Sequence, residues 1–364
     1  MQVTTSALEI SLARFLAASR TTGGAIAWSR SGEPVRLVVA GTDGRDPTTP
    51  ITRRSCFLVA SVTKIFTGVL ALRLIDEHRF ALDEAIGGLV PDWPELRDVT
   101  PRQLLSHTSG IAPQGDDDGN GTAPYRLDQR ELLRENETRI FTLEETLAWV
   151  QGRPLLSLPG AVVRYSNTNF LLLAHLAEQV TGQRFADLLQ QRVLDPLGLV
   201  DTWYLSDEPN VGTFVPGYME RDGVLGRVDD RLMASVASHI GPAGALVSSA
   251  ADLVSFGVRV LRNHELVSED LATQAFTIGP GGTGLGVLGI TQAEPGKHPF
   301  TIFGGSPEAK LIGIGGGGML PGTSTKLVYL TEADTVVALL LNRSSPPGGT
   351  EFFRQLVDLF AIAD

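Results

Sequence analysis

The chain has 364 residues, of which 43% are hydrophobic, and its formal net charge is −11. This length and composition suit one large unit or two interlocked lobes with a substantial core. The negative charge argues against bulk electrostatic binding to nucleic acid or to an anionic membrane. Cys56 is the only cysteine, so an intrachain disulfide is excluded.

The N-terminal segment predicts a helix followed by a hairpin. Residues 1–16 lack a basic start followed by a continuous apolar stretch, so we expect no signal peptide, no membrane partner and a cytoplasmic protein. They are typical of an amphipathic helix. Residues 22–30 and 34–41 indicate two strands on either side of a turn at Ser31-Gly32-Glu33.

The next apolar segment carries the motif Ser61-Val62-Thr63-Lys64, and its spacing predicts a helix to about residue 77. Positions three apart share a helical face, so the Ser61 hydroxyl and the Lys64 amine point into the same space. A serine at a helix start can serve as a nucleophile, and its N–H can bind an oxyanion. Alternatively, Ser61 is a helix cap and Lys64 a solvated surface residue. The apolar flanks and the presence of only four lysines favour the catalytic interpretation.

Short helices and polar loops characterise residues 80–240. Helices are predicted after Thr100, over residues 141–152 and over residues 169–182. The very polar residues 113–140 form a surface loop or, alternatively, a flap over the active site. His107 is interpreted as a structural loop residue, because its neighbours Ser106 and Ser109 are too close in sequence to face it.

Tyr165-Ser166-Asn167 lies just before the third of these helices. A tyrosine near a lysine can act as a general base, and Asn167 can contact both a substrate carbonyl and Lys64. The alternative is a tyrosine packed on the core, with the asparagine as a helix cap.

The C-terminal part returns to strands. Residues 241–256 predict an extended piece and a capped helix, residues 284–291 and 310–314 predict strands, and residues 325–342 predict a hairpin. Residues 350–362 predict a final helix. We therefore expect a sheet lobe from residues 1–79 and 241–364, a mostly helical lobe from residues 80–240, and an active site between them.

Taken together, these segments resemble the serine β-lactamase-like family of class C β-lactamases, DD-peptidases, esterases and transacylases. The likeness runs from about residue 22 to 343 and includes residues 58–64, 101–111, 159–170, 180–182, 194–202 and 242–253. It implies an α+β fold of the β-lactamase/transpeptidase type, an antiparallel sheet flanked by helices with a helical lobe. It also implies roles for four residues. Ser61 is the nucleophile, Lys64 activates it, Tyr165 is the base and then the acid for the leaving group, and Asn167 positions the substrate and Lys64.

One strand departs from the family pattern. Where the family has Lys-Thr-Gly or His-x-Gly, counting back from Pro321-Gly322 gives Gly316-Gly317-Gly318, followed by Met319. Four consecutive glycines leave this register open by one residue, but no register supplies a lysine or a histidine. The oxyanion hole needs only backbone N–H groups, so Ser61 and Met319 remain the expected donors. The missing cation usually meets the carboxylate of a β-lactam or of a D-Ala-D-Ala end. Lys310 or Arg343 is the candidate replacement.

We therefore expect a serine acyl-transfer enzyme that uses no metal and no cofactor. A small ester or amide would acylate Ser61. An amine or alcohol would then take the acyl group, as in transacylases of secondary-metabolite and antibiotic biosynthesis, or water would, as in an esterase. The alternatives are a β-lactamase, D-aminopeptidase or DD-peptidase type of hydrolase, and a catalytically silent binding module. The sequence does not determine the acyl donor, the acceptor or the oligomeric state.

Overall fold

A computed structural model describes residues 4–46, 48–113, 138–205, 214–292, 299–300 and 309–361. The described helices are α1 (Thr5–Ser19), α2 (Thr63–Asp76), α3 (Pro101–Leu105), α4 (Leu143–Ala148), α5 (Thr168–Thr181), α6 (Phe185–Leu189), α7 (Asp230–Ile240), α8 (Ala250–Phe256), α9 (Glu269–Phe276) and α10 (Gly349–Ala361). The described strands are β1 (Gly23–Arg30), β2 (Arg36–Gly41), β3 (Cys56–Leu58), β4 (Thr202–Tyr204), β5 (Tyr218–Arg221), β6 (Val224–Arg227), β7 (Leu246–Ser249), β8 (Leu288–Thr291), β9 (Leu311–Leu320), β10 (Thr323–Leu330) and β11 (Thr335–Leu341).

The main sheet has six antiparallel strands in the order β2-β1-β11-β10-β9-β8. The N-terminal hairpin joins the C-terminal strands directly, with Gly24 of β1 opposite Leu341 of β11. The sheet is therefore built from both ends of the chain, and the predicted α+β class with an antiparallel sheet flanked by helices is confirmed. A smaller sheet, β3-β7-β4, lies beside it.

Helices cover both faces of the main sheet, because side chains alternate between the faces of each strand. On one face α1 and α10 bury apolar residues such as Leu12 and Phe353 against the central strands. On the other face α2 and α8 pack together, and the Phe66 and Phe256 rings stack with their centroids 3.7 Å apart. The segment that carries Ser61 thus rests on a packed helical layer.

Side-chain caps fix several helix starts that the sequence indicates. Thr100 and Gln103 form a reciprocal capping box at α3, and Thr142 and Glu145 form another at α4. The predicted helix over residues 141–152 is shorter than expected, since only Leu143–Ala148 is helical and a turn follows.

The predicted strands differ from the observed ones in two places. The run at residues 284–291 is a strand only from Leu288, because Gly286 has a φ of 84° and its N–H donates to the Leu105 carbonyl at 2.9 Å. The run at residues 310–314 continues through the glycines to Leu320. Most of the polar segment at residues 113–140 lies outside the described residues.

The division into lobes at residues 80 and 240 stays a prediction. No helix within the described ranges is long and apolar enough to cross a membrane.

Candidate active site

Ser61 occupies a one-turn 3₁₀ helix, Ala60–Val62, that leads directly into α2. The preceding residue, Ala60, has a φ of 50°, a left-handed conformation that is rare for a residue with a Cβ. This sharp entry, between β3 and α2, presents Ser61 half-buried at the start of the helix. The geometry agrees with the position predicted for the nucleophile.

Lys64 lies one helical turn after Ser61 and points back at it. Its Nζ is 2.9 Å from Ser61 Oγ and donates to the Ala243 carbonyl at 2.8 Å. The side chain is only 4% exposed, and burial lowers the pKa of the Lys64 amine well below its usual range. The site therefore favours a neutral amine, which can accept a proton from the serine.

Tyr165 approaches the same hydroxyl from the loop before α5. A side-chain hydrogen bond joins it to Ser61, and the Lys64 Nζ lies 4.9 Å from the centre of its ring. Burial raises the pKa of Tyr165 to about 12, so the phenol keeps its proton near neutral pH. The structure thus brings Ser61, Lys64 and Tyr165 together as the sequence predicted.

His107 supports the Tyr165 loop from behind. Its ring lies 4.5 Å from the Tyr165 ring, and its Nδ1 accepts the Ser166 N–H at 3.2 Å. Nδ1 also lies 3.1 Å from Asn169 Nδ2, and burial lowers the pKa of His107 to about 3, which keeps the ring neutral. The structural role predicted for His107 agrees with this geometry. Its link to Tyr165 was missed, because the two residues are far apart in sequence.

Asn167 does not make the predicted contact with Lys64. Its Oδ1 is buried, and the described part of the chain offers it no hydrogen-bond partner. It precedes α5 without capping it through its side chain. The engaged amide is instead Asn169, whose Oδ1 accepts from Ser109 Oγ at 2.6 Å.

The glycine strand passes directly in front of Ser61. A Cβ on Gly318 would lie 2.3 Å from the Val59 carbonyl oxygen and 2.7 Å from the Ser61 nitrogen, so only glycine fits there. Gly316 shares that face, where a Cβ would meet Ile65 at 3.1 Å, and Gly317 points to the other face. The close approach sets the register that the glycine run left open, and Met319 follows directly.

A cavity of about 730 Å³ begins at Ser61 and Tyr165 and continues past the glycine strand. Beyond Gly317 it is lined by side chains of three further elements, namely Ser324, Lys326, Leu339, Leu341 and Glu351. No group of His, Cys, Asp and Glu side chains in the described ranges is arranged to hold a metal.

The two proposed replacement cations lie elsewhere, so that prediction is wrong. Lys310 pairs with Glu332 at 2.7 Å on the surface. Arg343 is buried, with its guanidinium bound to the Ser19 carbonyl and, at 2.9 Å, to Glu220. Both side chains are bound to other residues, and neither lines the cavity.

The six-stranded sheet, with Ser61 at the start of a buried helix between sheet and helices, has the β-lactamase/transpeptidase-like architecture. The β-lactamase family model matches residues 11–360, and the chain belongs to that family.

Two curated relatives are similar over part of their length. Penicillin-binding protein 4 of Amycolatopsis lactamdurans is 31% identical over 214 residues, which cover 57% of this chain and 51% of that protein. Esterase EstB of Burkholderia gladioli is 29% identical over 265 residues, covering 68% and 66%. The chain thus matches about half to two thirds of the length of these relatives.

Solved structures agree with the fold over nearly the whole chain. The D-amino acid amidase from Ochrobactrum anthropi SV3, complexed with L-phenylalanine, superposes with a TM-score of 0.78 and 21% identity, covering 98% of both chains. A penicillin-binding protein from Bacillus halodurans gives a TM-score of 0.76 and 19% identity, covering 96% of this chain and 99% of that one.

Proposed function

We propose that this protein is a serine acyl-transfer enzyme that forms an acyl-enzyme on Ser61 from a small ester or amide. The observation that carries the proposal is the 2.9 Å contact between Lys64 Nζ and Ser61 Oγ, with Tyr165 hydrogen-bonded to the same hydroxyl at the mouth of a 730 Å³ cavity. A nucleophile beside a buried neutral amine is the arrangement that covalent catalysis needs. The cytoplasm is the compartment that we expect.

The two pKa shifts favour a division of labour in acylation. Lys64 takes the Ser61 proton as Oγ attacks the carbonyl carbon, because its amine is pushed toward the neutral form. The backbone N–H groups of Ser61 and Met319 hold the oxyanion. When the tetrahedral intermediate collapses, the bond to the leaving oxygen or nitrogen breaks and Tyr165 gives that atom its proton. Lys64 then returns a proton to Tyr165. Tyr165 is thus first an acid, whereas the family resemblance implied a base.

The acyl group then passes to an amine, an alcohol or water. The cavity volume supports an acceptor other than water, because pockets of this size hold drug-sized ligands. The esterase relative supports hydrolysis of the same acyl-enzyme. A role in antibiotic or other secondary-metabolite biosynthesis is the setting that we propose for the transacylase.

A β-lactamase, D-aminopeptidase or DD-peptidase type of hydrolase is the second candidate. The penicillin-binding relative favours it, and residues 316–318, which offer no cationic side chain beside Ser61, weigh against it. The contact between Lys64 Nζ and Ser61 Oγ weighs against a catalytically silent binding module, because binding alone does not require it.

The test uses 4-nitrophenyl butyrate, with and without a panel of amines and alcohols. We expect wild-type protein to gain the mass of one butyryl group and to release conjugates that increase with acceptor concentration. Ser61→Ala should lose both. Ser324→Ala is the matched control, because Ser324 lines the same cavity without contacting Lys64. Acid product alone would identify an esterase, and rapid nitrocefin turnover a β-lactamase. Activity retained in Ser61→Ala would refute the acyl-enzyme.

A further inference from the structure

Lys326 lines the cavity, and the catalytic steps above do not use it. It stands on β10 directly opposite Gly317 of β9. Its side chain is half-buried and lines the cavity that begins at Ser61. A lysine in such a place loses solvation and needs a compensating interaction.

The gap above Gly317 gives the Lys326 amine access to this cavity. A Cβ on Gly317 would lie 2.8 Å from Lys326 Nζ and 2.9 Å from an edge carbon of Phe300. The amine therefore occupies the space next to residue 317 that a side chain would otherwise fill. One strand position further on, Gly318 touches the Ser61 backbone. Ser61 and the Lys326 amine therefore lie on opposite faces of β9, and the cavity that both residues line reaches both faces of this strand.

The surroundings of Lys326 suit a cation that has no permanent counter-ion. Its Nζ lies 5.5 Å from the ring centre of Phe300 and 5.9 Å from that of Phe353, both within cation–π range. Across the described ranges, no carboxylate forms an ion pair with it. Glu351 lines the same cavity but is held by Arg354, with Nε 2.8 Å from its Oε2.

From this placement we infer that Lys326 binds a carboxylate of the substrate, which makes the enzyme selective for esters or amides that carry an anionic group. The inference rests on the proposed acyl transfer at Ser61. A carboxylate entering the cavity would take the ion-pair position that the protein leaves open and would anchor the substrate across the glycine strand. The anion can belong to the acyl group or to the leaving group.

The test compares matched ester pairs on wild type, Lys326→Met and Lys326→Arg. For the acyl side, 4-nitrophenyl hydrogen glutarate is paired with 4-nitrophenyl pentanoate. For the leaving side, 4-carboxyphenyl butyrate is paired with 4-methylphenyl butyrate. In at least one pair, Lys326→Met should lower kcat/KM for the anionic ester by about 10–100-fold, the range for a hydrogen bond to a charged group. The neutral partner should change by less than about two-fold, and Lys326→Arg should keep part of the preference.

Binding without turnover separates this inference from the proposed function. In Ser61→Ala, calorimetry should show that the anionic ester of the responsive pair binds more tightly than its neutral partner, and adding Lys326→Met should abolish the difference. If the anionic and neutral esters of both pairs respond alike to Lys326→Met, the inference is wrong even where Ser61-dependent turnover is intact. If the binding difference is present but wild type forms no acyl-enzyme, the proposed function fails and the anion site stands.

Discussion

Two lysine amines lie on different elements around Ser61, and their surroundings differ: Lys64 contacts the Ser61 hydroxyl directly, whereas Lys326 lines the cavity that Ser61 also lines. Lys64, on α2, is bound by the Ser61 hydroxyl and the Ala243 carbonyl, and its pKa lies well below its usual range. Lys326, on β10, has aromatic rings beside it, and burial lowers the pKa of its amine to about 8.

Different surroundings allow one side-chain type to do two tasks near Ser61. An amine that is deeply buried beside a hydroxyl tends to be neutral and can receive a proton. An amine beside two aromatic rings with a pKa of about 8 is mostly charged at neutral pH, and it can attract an anion. Variants that alter one amine at a time test whether the two lysines have these separate tasks.

The largest effect is expected from Lys64→Met. Without the amine, Ser61 has no base within hydrogen-bond distance on that side, and positioned proton transfer is worth about 10²–10⁴-fold in rate. We expect kcat/KM to fall by that factor for neutral and anionic esters alike. Stopped-flow detection of 4-nitrophenolate and a thermal unfolding curve measure the rate and the integrity of the fold.

Lys326→Met is the matched control for this substitution, since it makes the same chemical change across the cavity. Its rate with 4-nitrophenyl butyrate should stay near that of wild type. A similar loss in both variants would mean that the two lysines share one task, and the comparison would collapse.

The acidic limb of the plot of kcat/KM against pH should report the protonation of Lys64. As the pH falls through its lowered pKa, the amine gains a proton and can no longer accept one from Ser61, so kcat/KM should drop by about ten-fold per pH unit below that point. Above it, the rate should be level until Tyr165, with a pKa of about 12, loses its proton. His107, the other titratable group packed here, has a pKa of about 3 and stays neutral.

Profiles of kcat/KM for 4-nitrophenyl butyrate in two variants check this assignment. The acidic limb should disappear in Lys64→Met and persist in Tyr165→Phe. A limb that survives in Lys64→Met would place the base elsewhere.

The catalytic cluster could be predicted from the sequence because its main spacing is local. Ser61 and Lys64 are three apart on one helix, so the helix alone brings their side chains together. Tyr165 followed from its place before a helix and from the family resemblance. The sequence could not show that Asn167 makes no contact with Lys64, because the rotation of a side chain at a helix start depends on what packs around it.

The anion site required the structure, because it depends on pairing between strands. The turn at Pro321-Gly322 sets the hairpin register that places Lys326 opposite Gly317, but four consecutive glycines hide which of them faces the cavity. The near contact of Gly318 with Ser61 decides it. The sequence positions of Lys310 and Arg343 do not show that both lie outside the cavity and pair with other carboxylates.

The smallest and most selective effect is expected from Gly317→Ala. The new methyl group would fall 2.8 Å from Lys326 Nζ, which is flexible and can move aside, and 2.9 Å from an edge carbon of the buried Phe300 ring, so a thermal unfolding curve is measured beside the rates. Displacement weakens the ion pair between Lys326 and the substrate carboxylate without removing the charge, and we expect the preference for the anionic ester to fall by about 3–10-fold, less than in Lys326→Met.

Gly316→Ala is the control, since its methyl group would meet only the Ile65 side chain on the opposite face. Ratios of kcat/KM for the matched esters measure the effect. If both alanine variants reduce anionic and neutral rates equally, the glycines serve only to shape the strand. If Gly317→Ala alone changes the ratio, the missing side chain at residue 317 is what admits the Lys326 amine to the substrate.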